Sequence, residues 1–340
     1  MTKRHPNYIS TTNACKLCRP LGACLAFKGI EGAVPYLHGS QGCATYMRRY
    51  IISHYNEPID IASSSLSEKN AIYGGGPNLK LGLTNVAAKY RPALIGIATT
   101  CLTETIGDDV ARYLHEYEQD TAGSEGLPEF VHVASPSYSG SHIEGFHGAV
   151  QAVLEQRAAG GPQTETVNLL PGFVSSADYR LLKEIMMDFG LHCTMLPDLS
   201  ETMDRPVLLE YEKVAKGGTP LLAVEKMGCS QASIEFGRTL SHEESSSLTL
   251  QKKFHVAHHR LGMPVGIEET DRFFELLSTL SGRPIPEKYS KERGRLVDAY
   301  VDGHKYVFGK KAIVYGEEDL VVGMTAFLAE IGIFPILCAS

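Results

Sequence analysis

The sequence predicts an α/β protein in which parallel sheets are flanked by helices. Short continuous apolar runs alternate with segments of helical spacing, and polar loops follow the runs, a pattern that is typical of buried parallel strands. With 340 residues, of which 43% are apolar, the chain is long enough for two or three domains that each bury a sizeable core.

The first domain is predicted over residues 1–161. Residues 93–98 form an apolar run that leads directly into Thr99, Thr100 and Cys101, which predicts a buried strand followed by a loop. Around it, strands are predicted at 130–134 and helices at 78–90, 108–117 and 145–158. The breaker sequence Gly-Gly-Pro at 160–162 ends this domain.

The second domain is predicted over residues 162–308 and continues the alternation. Strands are predicted at 166–170, 192–196 and 232–237, and helices at 178–190, 221–227, 270–280 and 288–300. The Ser-rich stretch 242–248 is predicted to be an exposed loop or helix start.

Residues 309–340 open a third, incomplete domain. A strand at 311–315, a helix at 317–331 and a strand at 334–338 form one βαβ unit, which leaves most of a sheet unpaired. We therefore expect the chain to be a fragment or truncated product. The alternative is that the last strand joins the sheet of the second domain.

Charge and cysteine content narrow the function classes. The net charge of −7 argues against broad nucleic-acid binding, which needs a basic surface. Neither an apolar run of transmembrane length nor a secretory signal is visible, so we expect a cytoplasmic protein without a membrane span. Eight cysteines are too few for a disulfide scaffold and point instead to metal or redox chemistry.

Three cysteines stand in loop contexts that suit a cluster ligand. Cys18 precedes Pro20 at a helix start, where backbone dipoles favour a thiolate. Cys43 closes a glycine-containing loop, and Cys101 follows a predicted buried strand, where ligand sites of α/β sheets form. A cubane iron–sulfur cluster needs four thiolates, so three from this chain imply a partner subunit or a non-cysteine ligand.

The remaining cysteines have other interpretations. Cys15 forms a Cys-x-x-Cys pair with Cys18, but without a second pair a zinc ribbon is disfavoured. Core positions are predicted for four cysteines in apolar contexts: Cys24, Cys193, Cys229 and Cys338.

Polar residues near these loops have both a structural and a ligand interpretation. His38 and His54 flank the Cys43 loop, and hydrogen-bonded structural histidines are the commoner outcome. Ser137 and Ser141 are candidates for a cluster oxygen ligand or for loop capping. Helix N-terminal charge explains Glu104, Asp108 and Asp109, and the triple glycine at 74–76 lacks the ending of a phosphate-binding loop.

Taken together, the motifs resemble the nitrogenase component 1 family, in its β-type branch, over almost the whole chain. The matching stretches are Cys-x-Pro-Leu-Gly-Ala, His-Gly-Ser-Gln-Gly-Cys, His-Tyr-Asn-Glu-Pro, Thr-Thr-Cys-Leu-Thr-Glu-Thr-Ile-Gly-Asp-Asp, Ser-Pro-Ser-Tyr-Ser-Gly-Ser-His and Glu-Arg-Gly-Arg-Leu-Val-Asp. The resemblance implies tandem Rossmann-like domains, the third of which is incomplete here. It also implies a nitrogen-fixation role, an iron–sulfur cluster shared with a partner subunit, and no catalytic residue in this chain.

Two members of that branch compete. The β-like subunit of the iron–molybdenum cofactor assembly scaffold (NifN type) would pair with an α-like NifE-type subunit and use Cys43 for an interfacial [4Fe–4S] cluster. The β chain of the molybdenum–iron protein (NifK type) would use Cys18, Cys43 and Cys101 for an [8Fe–7S] P-cluster, with Ser137 as a further ligand of its oxidised form.

The scaffold is the favoured expectation, because the short N-terminus and the stretches 25–32 and 302–311 look like scaffold chains. Retention of Cys18 and Cys101 points the other way. Either assignment implies an α2β2 heterotetramer that receives electrons from the nitrogenase reductase iron protein. A metal-free α/β protein that binds a small ligand is the alternative from a different class.

Overall fold

A computed structural model describes residues 17–123, 126–207, 212–242 and 244–340. Its helices, in chain order, are α1 (Arg19–Lys28), α2 (Gln41–Tyr55), α3 (Glu68–Tyr73), α4 (Gly76–Tyr90), α5 (Cys101–Ile106), α6 (Val110–Asp120), α7 (His142–Arg157), α8 (Ser176–Asp188), α9 (Leu221–Glu225), α10 (Ser246–Phe254), α11 (Gly266–Ser281), α12 (Glu287–Val307) and α13 (Glu318–Glu330).

The strands are β1 (Ala33–His38), β2 (Ala62–Ser63), β3 (Leu94–Thr99), β4 (Glu129–Val133), β5 (Thr164–Leu170), β6 (Cys193–Met195), β7 (Ser230–Phe236), β8 (Ala257–Leu261), β9 (Lys311–Tyr315) and β10 (Phe334–Ala339). The chain divides into two compact units. The first comprises Met1–Gly161, Phe173–Tyr179 and Thr194–Gly228, and the second Pro162–Gly172, Arg180–Cys193 and Cys229–Ser340.

The first unit contains a parallel sheet of strand order β2-β1-β3-β4. Its central strands β1 and β3 are buried along their whole length, and the apolar run 93–98 predicts this burial for β3. On one side of this sheet, the apolar face of α4, formed by Leu79, Leu83 and Val86, packs in a core with Ile95 and Ile97. The helical spacing of 78–90 therefore predicts this packing.

Helices α1 and α7 of the first unit pack with their backbones in close approach. A Cβ at Gly22 would lie 1.7 Å from the carbonyl oxygen of His142, and one at Gly145 would lie 1.9 Å from that of Arg19. Only glycine permits this approach, which holds the N-terminal end of α1 against that of α7.

The second unit contains β5, β7 and β8, which pair in parallel within a sheet of order β6-β5-β7-β8. Its β9 and β10 pair in parallel with each other as a separate two-stranded sheet, so the alternative in which the last strand joins the larger sheet is wrong. Within the described residues, no helix is both long and apolar enough to span a membrane.

The α/β prediction with parallel sheets flanked by helices is confirmed. The helix start predicted within the Ser-rich stretch 242–248 is also found, since α10 begins at Ser246, but the prediction of exposure is wrong for its serines. Ser245, Ser246 and Ser247 are completely buried, because their hydroxyl and amide groups bind the carboxylate of Glu235 on β7. A polar composition thus marked a buried hydrogen-bond network.

Candidate functional site

The predicted ligand residues gather at the carboxyl ends of β1, β3 and β4. These three strands are adjacent and parallel, so the loops that follow them leave the sheet at the same end. The loop after β1 leads into α2 and Cys43, the loop after β3 leads into Cys101, and the loop after β4 contains Ser137.

Cys101 is the first residue of α5, and its position is fixed by hydrogen bonds to the neighbouring strand. Thr100 and Thr103 form a capping box at the start of α5. Their hydroxyls both donate to the carbonyl oxygen of His38, at 3.2 and 3.0 Å, and so tie the start of α5 to the end of β1. The Cys101 thiol itself is exposed, at the positive end of a helix.

Ser137 lies against Cys101. Its backbone N–H donates to the Cys101 Sγ at 3.2 Å. The loop that carries Ser137 is anchored by Ser135, whose amide and hydroxyl bind the hydroxyl and carbonyl of Thr99, at 2.9 and 2.8 Å. An N–H group directed at sulfur stabilises negative charge there, as it does for cluster thiolates.

Cys18 reaches the same loop from the other side. It is the N-cap residue of α1, with proline in the first turn, and its thiol is exposed. It forms an isolated antiparallel bridge with Ser141. The next residue, Arg19, donates its backbone N–H to the Ser137 Oγ at 3.3 Å and its Nη1 to the Ser139 Oγ at 2.6 Å. Cys18, Cys101 and Ser137 are therefore linked around one loop.

Cys43 lies in the first turn of α2 and is half-buried. The Ser40 hydroxyl donates to its Sγ at 3.4 Å. Gly39, before this turn, approaches Thr100 so closely that a Cβ would lie 2.3 Å from the Thr100 Oγ1. This contact brings the loops of Cys43 and Cys101 side by side.

The donor set suits a cluster better than a single ion. Across the part of the chain that the structure describes, no group of three or more His, Cys, Asp or Glu side chains is arranged to hold a metal ion. Yet two exposed thiols and one half-buried thiol share the first turns of helices at one sheet edge. Accessible sulfurs on separate loops fit a bulky group such as an iron–sulfur cluster, whose remaining ligands would come from elsewhere.

Several other candidates prove structural. His38 is buried between the Ser64 hydroxyl and the Asp108 carboxylate, each 3.0 Å from a ring nitrogen. Its pKa is lowered by burial, although Asp108 and Glu104 oppose that effect. The glycine at 75 donates its N–H to Asp108, so the glycine-rich turn binds this carboxylate. Ser141 caps α7 through the amide of Ile143, at 3.3 Å.

The remaining cysteine predictions have mixed outcomes. Cys24 is fully buried, as predicted, and burial raises the pKa of its thiol. Cys193 and Cys229 are only half-buried, and the core prediction for Cys338 is wrong because this residue is exposed. Cys15 lies outside the described residues. The sequence patterns assign no role to Arg19, although its place between Cys18 and Pro20 is the signal that could have identified it.

Comparison with known proteins gives a coherent result. The family described as "Nitrogenase component 1 type Oxidoreductase" matches residues 18–340. The nitrogenase molybdenum-iron protein beta chain of Clostridium pasteurianum is 36% identical over 327 residues, which cover 95% of this chain and 70% of that one. The beta chain of Azotobacter vinelandii is 33% identical over 341 residues, covering 96% of this chain and 64% of that one.

The solved structure "Nitrogenase Cp1 at pH 6.5" superposes with a TM-score of 0.92 at 34% identity, covering 98% of this chain and 72% of that one. The chain spans roughly two thirds of the length of the relatives that it matches, between 64% and 73%. The family match and the identities over nearly the whole chain leave one assignment: this protein belongs to the nitrogenase component 1 type oxidoreductase family, in its β-chain type.

Proposed function

We propose that this chain acts as the β subunit of a nitrogenase molybdenum–iron protein and holds part of an iron–sulfur cluster. Cys18, Cys43 and Cys101 are its thiolate ligands, and Ser137 is an additional oxygen ligand. The observation that carries the proposal is the link from Arg19 through Ser137 to the Cys101 Sγ, which joins two cysteine loops at one sheet edge.

The residues around the thiols suit electron transfer. A cluster bound here would exchange single electrons with a partner, and its potential would depend on hydrogen bonds to sulfur and on burial. In this chain the Ser137 N–H donates to the Cys101 Sγ, while the Arg19 N–H holds the Ser137 hydroxyl beside it. Both loops are braced by buried hydrogen bonds, which limits their movement when charge changes.

The exposure of Cys18 and Cys101 supports a site completed by another chain. We propose that an α-type subunit supplies the missing ligands in an α2β2 heterotetramer, and that the reductase iron protein delivers electrons to it. In this proposal the chain itself positions cluster ligands and hydrogen-bond donors and makes no bond to a small substrate.

The scaffold assignment is the second candidate. The stretches 25–32 and 302–311 favour it in the sequence. The relatives reported above are molybdenum-iron protein beta chains, and three thiols at one edge exceed the single Cys43 that the scaffold would use. These two observations favour the β chain.

Iron counting on the anaerobically purified complex with the α-type partner tests the proposal. The β chain predicts about eight irons per interface with matching acid-labile sulfide, whereas the scaffold predicts about four with a simple reduced cluster signal in electron paramagnetic resonance. Acetylene reduction with the reductase present should accompany only the first result. A colourless, iron-free complex would contradict both assignments and favour the metal-free binding protein.

A further inference from the structure

The first unit contains a cavity of about 540 Å³ that is separate from the cysteine loops. It lies beside the end of α1 and the start of β1, and its apolar wall includes Val34, Pro58 and Ile59. A cavity of this size falls within the range of small-molecule sites.

The charges that line this cavity do not cancel. Each of its carboxylates already has a cationic partner: Glu57 binds the Arg205 Nε at 3.1 Å, Asp60 binds Arg48 at 3.2 Å, and Glu212 binds Lys216 at 2.7 Å. Two further lining residues, Lys28 and Lys213, have no carboxylate partner among the described residues. The lining residues, four cations and three carboxylates, therefore carry an excess of one positive charge.

Lys28 is the most unusual of these cations. It is only 8% exposed, and within the described chain its ammonium group has neither a hydrogen bond nor an ion pair. Buried lysines are normally paired, because an isolated charge loses its hydration without compensation. Burial and the Arg205 guanidinium lower the pKa of Lys28 to about 8, against the opposing effect of Asp60.

Arg205 lines the same cavity with spare donor capacity. Its side chain is 13% exposed, and its Nε is used by Glu57. Its Nη1 is buried without a hydrogen-bond partner. Two repelling cations with unused N–H groups in one cavity are the arrangement that an oxyanion between them would stabilise.

We propose that this cavity binds a small oxyanion. Lys28 and Lys213 supply point charges, and the Arg205 guanidinium supplies hydrogen-bond donors. Phosphoryl compounds and dicarboxylates share this chemistry, and the test separates them. The inference does not depend on the proposed cluster function, since none of its residues lies in the cysteine loops.

The test is isothermal titration of the purified full chain, in its complex where that forms, with inorganic phosphate and separately with succinate. We expect one of them to bind saturably and Lys28→Met to weaken that binding about tenfold or more, the loss of one charge-assisted contact. Methionine retains the apolar stem of the lysine. Lys305→Met, at an exposed lysine in the last turn of α12, is the control and should bind like the parent.

A second measurement needs no variant. Amine acylation at pH 8, read by mass spectrometry, should modify Lys28 more slowly when phosphate or succinate is present, while Lys305 reacts at an unchanged rate. Stronger protection by phosphate identifies a phosphoryl ligand, and stronger protection by succinate a dicarboxylate. Absence of protection and of titratable binding by both anions, or equal binding by both lysine variants, would overturn the proposal.

Discussion

Each of the two units places a polar residue at or near the carboxyl end of a central parallel strand. The two residues differ in exposure and in the number of hydrogen bonds that they accept. In the first unit, Cys101 follows β3, and its exposed sulfur receives one N–H from Ser137. In the second, Glu235 lies near the end of β7 and is only 1% exposed.

The carboxylate of Glu235 is surrounded by donors from the start of α10. The Ser245 and Ser247 hydroxyls and the Ser246 amide all donate to it, the last two at 2.7 and 2.9 Å. This buried charge is stabilised by hydrogen bonds and by the helix dipole, and its burial leaves a ligand no access to it. A position at the carboxyl end of a central parallel strand is therefore not sufficient for a ligand site. Cys101 differs from Glu235 because its sulfur is exposed and can still bind a ligand.

The largest effect should come from removing a thiol at the exposed edge. Cys101→Ala should remove most of the interface iron, because a bridging or terminal thiolate cannot be replaced by a methyl group. The measurement is iron and acid-labile sulfide per complex after anaerobic purification. Cys338→Ala is the matched control, an exposed cysteine in the second unit. Equal iron in both variants would show that Cys101 is not a ligand.

The second effect tests how the Cys18 loop is held. Gly145→Ala should cost about 3 kcal/mol or more of unfolding free energy, because the new Cβ would lie 1.9 Å from the Arg19 carbonyl oxygen. Displacement of α1 should also lower the iron content, although no thiol is removed. Gly148→Ala on the same helix is the control.

At Gly148, the nearest atoms to a new Cβ lie at 3.7 and 3.9 Å, which is ordinary contact. Alanine there should stabilise the helix by up to about 1 kcal/mol, since glycine is the poorer helix former. Urea unfolding measures both variants, and equal stabilities would show that α1 and α7 are not in tight backbone contact.

The third effect concerns the hydrogen bonds to Glu235 in the second unit. Glu235→Gln should lower the free energy of unfolding by about 2 kcal/mol, as measured in urea. The acceptor loses its charge, and the new amide nitrogen, itself a donor, would face the serine donors. The iron content should stay unchanged, which separates this network from the thiol edge. Glu275→Gln, at an exposed position of α11, should leave both quantities alone. Loss of iron in Glu235→Gln would contradict a purely structural role.

The position of the Cys101 loop can be predicted because its signal is local: the apolar run at 93–98 ends at Cys101. The close approach of Gly39, before Cys43, is to Thr100, a residue far away in the sequence, so local pattern does not show which loop lies beside it. The contact between Ser137 and Cys101, 36 residues apart, follows from adjacent strands rather than from local pattern. The motifs could name Ser137, but only the fold shows its N–H directed at the sulfur.

Other features escape the sequence for physical reasons. Strand β8 has the sequence Ala-His-His-Arg-Leu and is largely half-buried, so it lacks the apolar run that marks β3. The serines at 245–247 look exposed until Glu235 is placed against them. The cavity of Lys28 and Arg205 joins residues from distant parts of the chain, and lysine at a helix end usually indicates a solvated side chain.

A further effect, of a size similar to that at Glu235, is the pH dependence that Lys28 contributes. Its pKa in the folded chain is about 8, compared with an ordinary value of 10.5, so between these values the unfolded state binds more protons. Stability should therefore rise with pH in this window, by about 2 kcal/mol between pH 7.5 and 10 relative to Lys28→Met. The other charged groups that line the cavity are Arg48, Glu57, Asp60, Arg205, Glu212 and Lys213.

The ordinary pKa values of the cavity carboxylates and guanidinium groups lie outside this window, and Lys213 has no such burial, so the difference between the two proteins isolates Lys28. Urea unfolding at a series of pH values measures it. A bound dianion would raise the pKa of Lys28 again, so saturating phosphate or succinate should flatten the slope of the parent but not that of Lys28→Met. If the unfolding free energies of the parent and of Lys28→Met changed equally with pH in the absence of anion, Lys28 would be hydrated and its cavity would not destabilise the charged form.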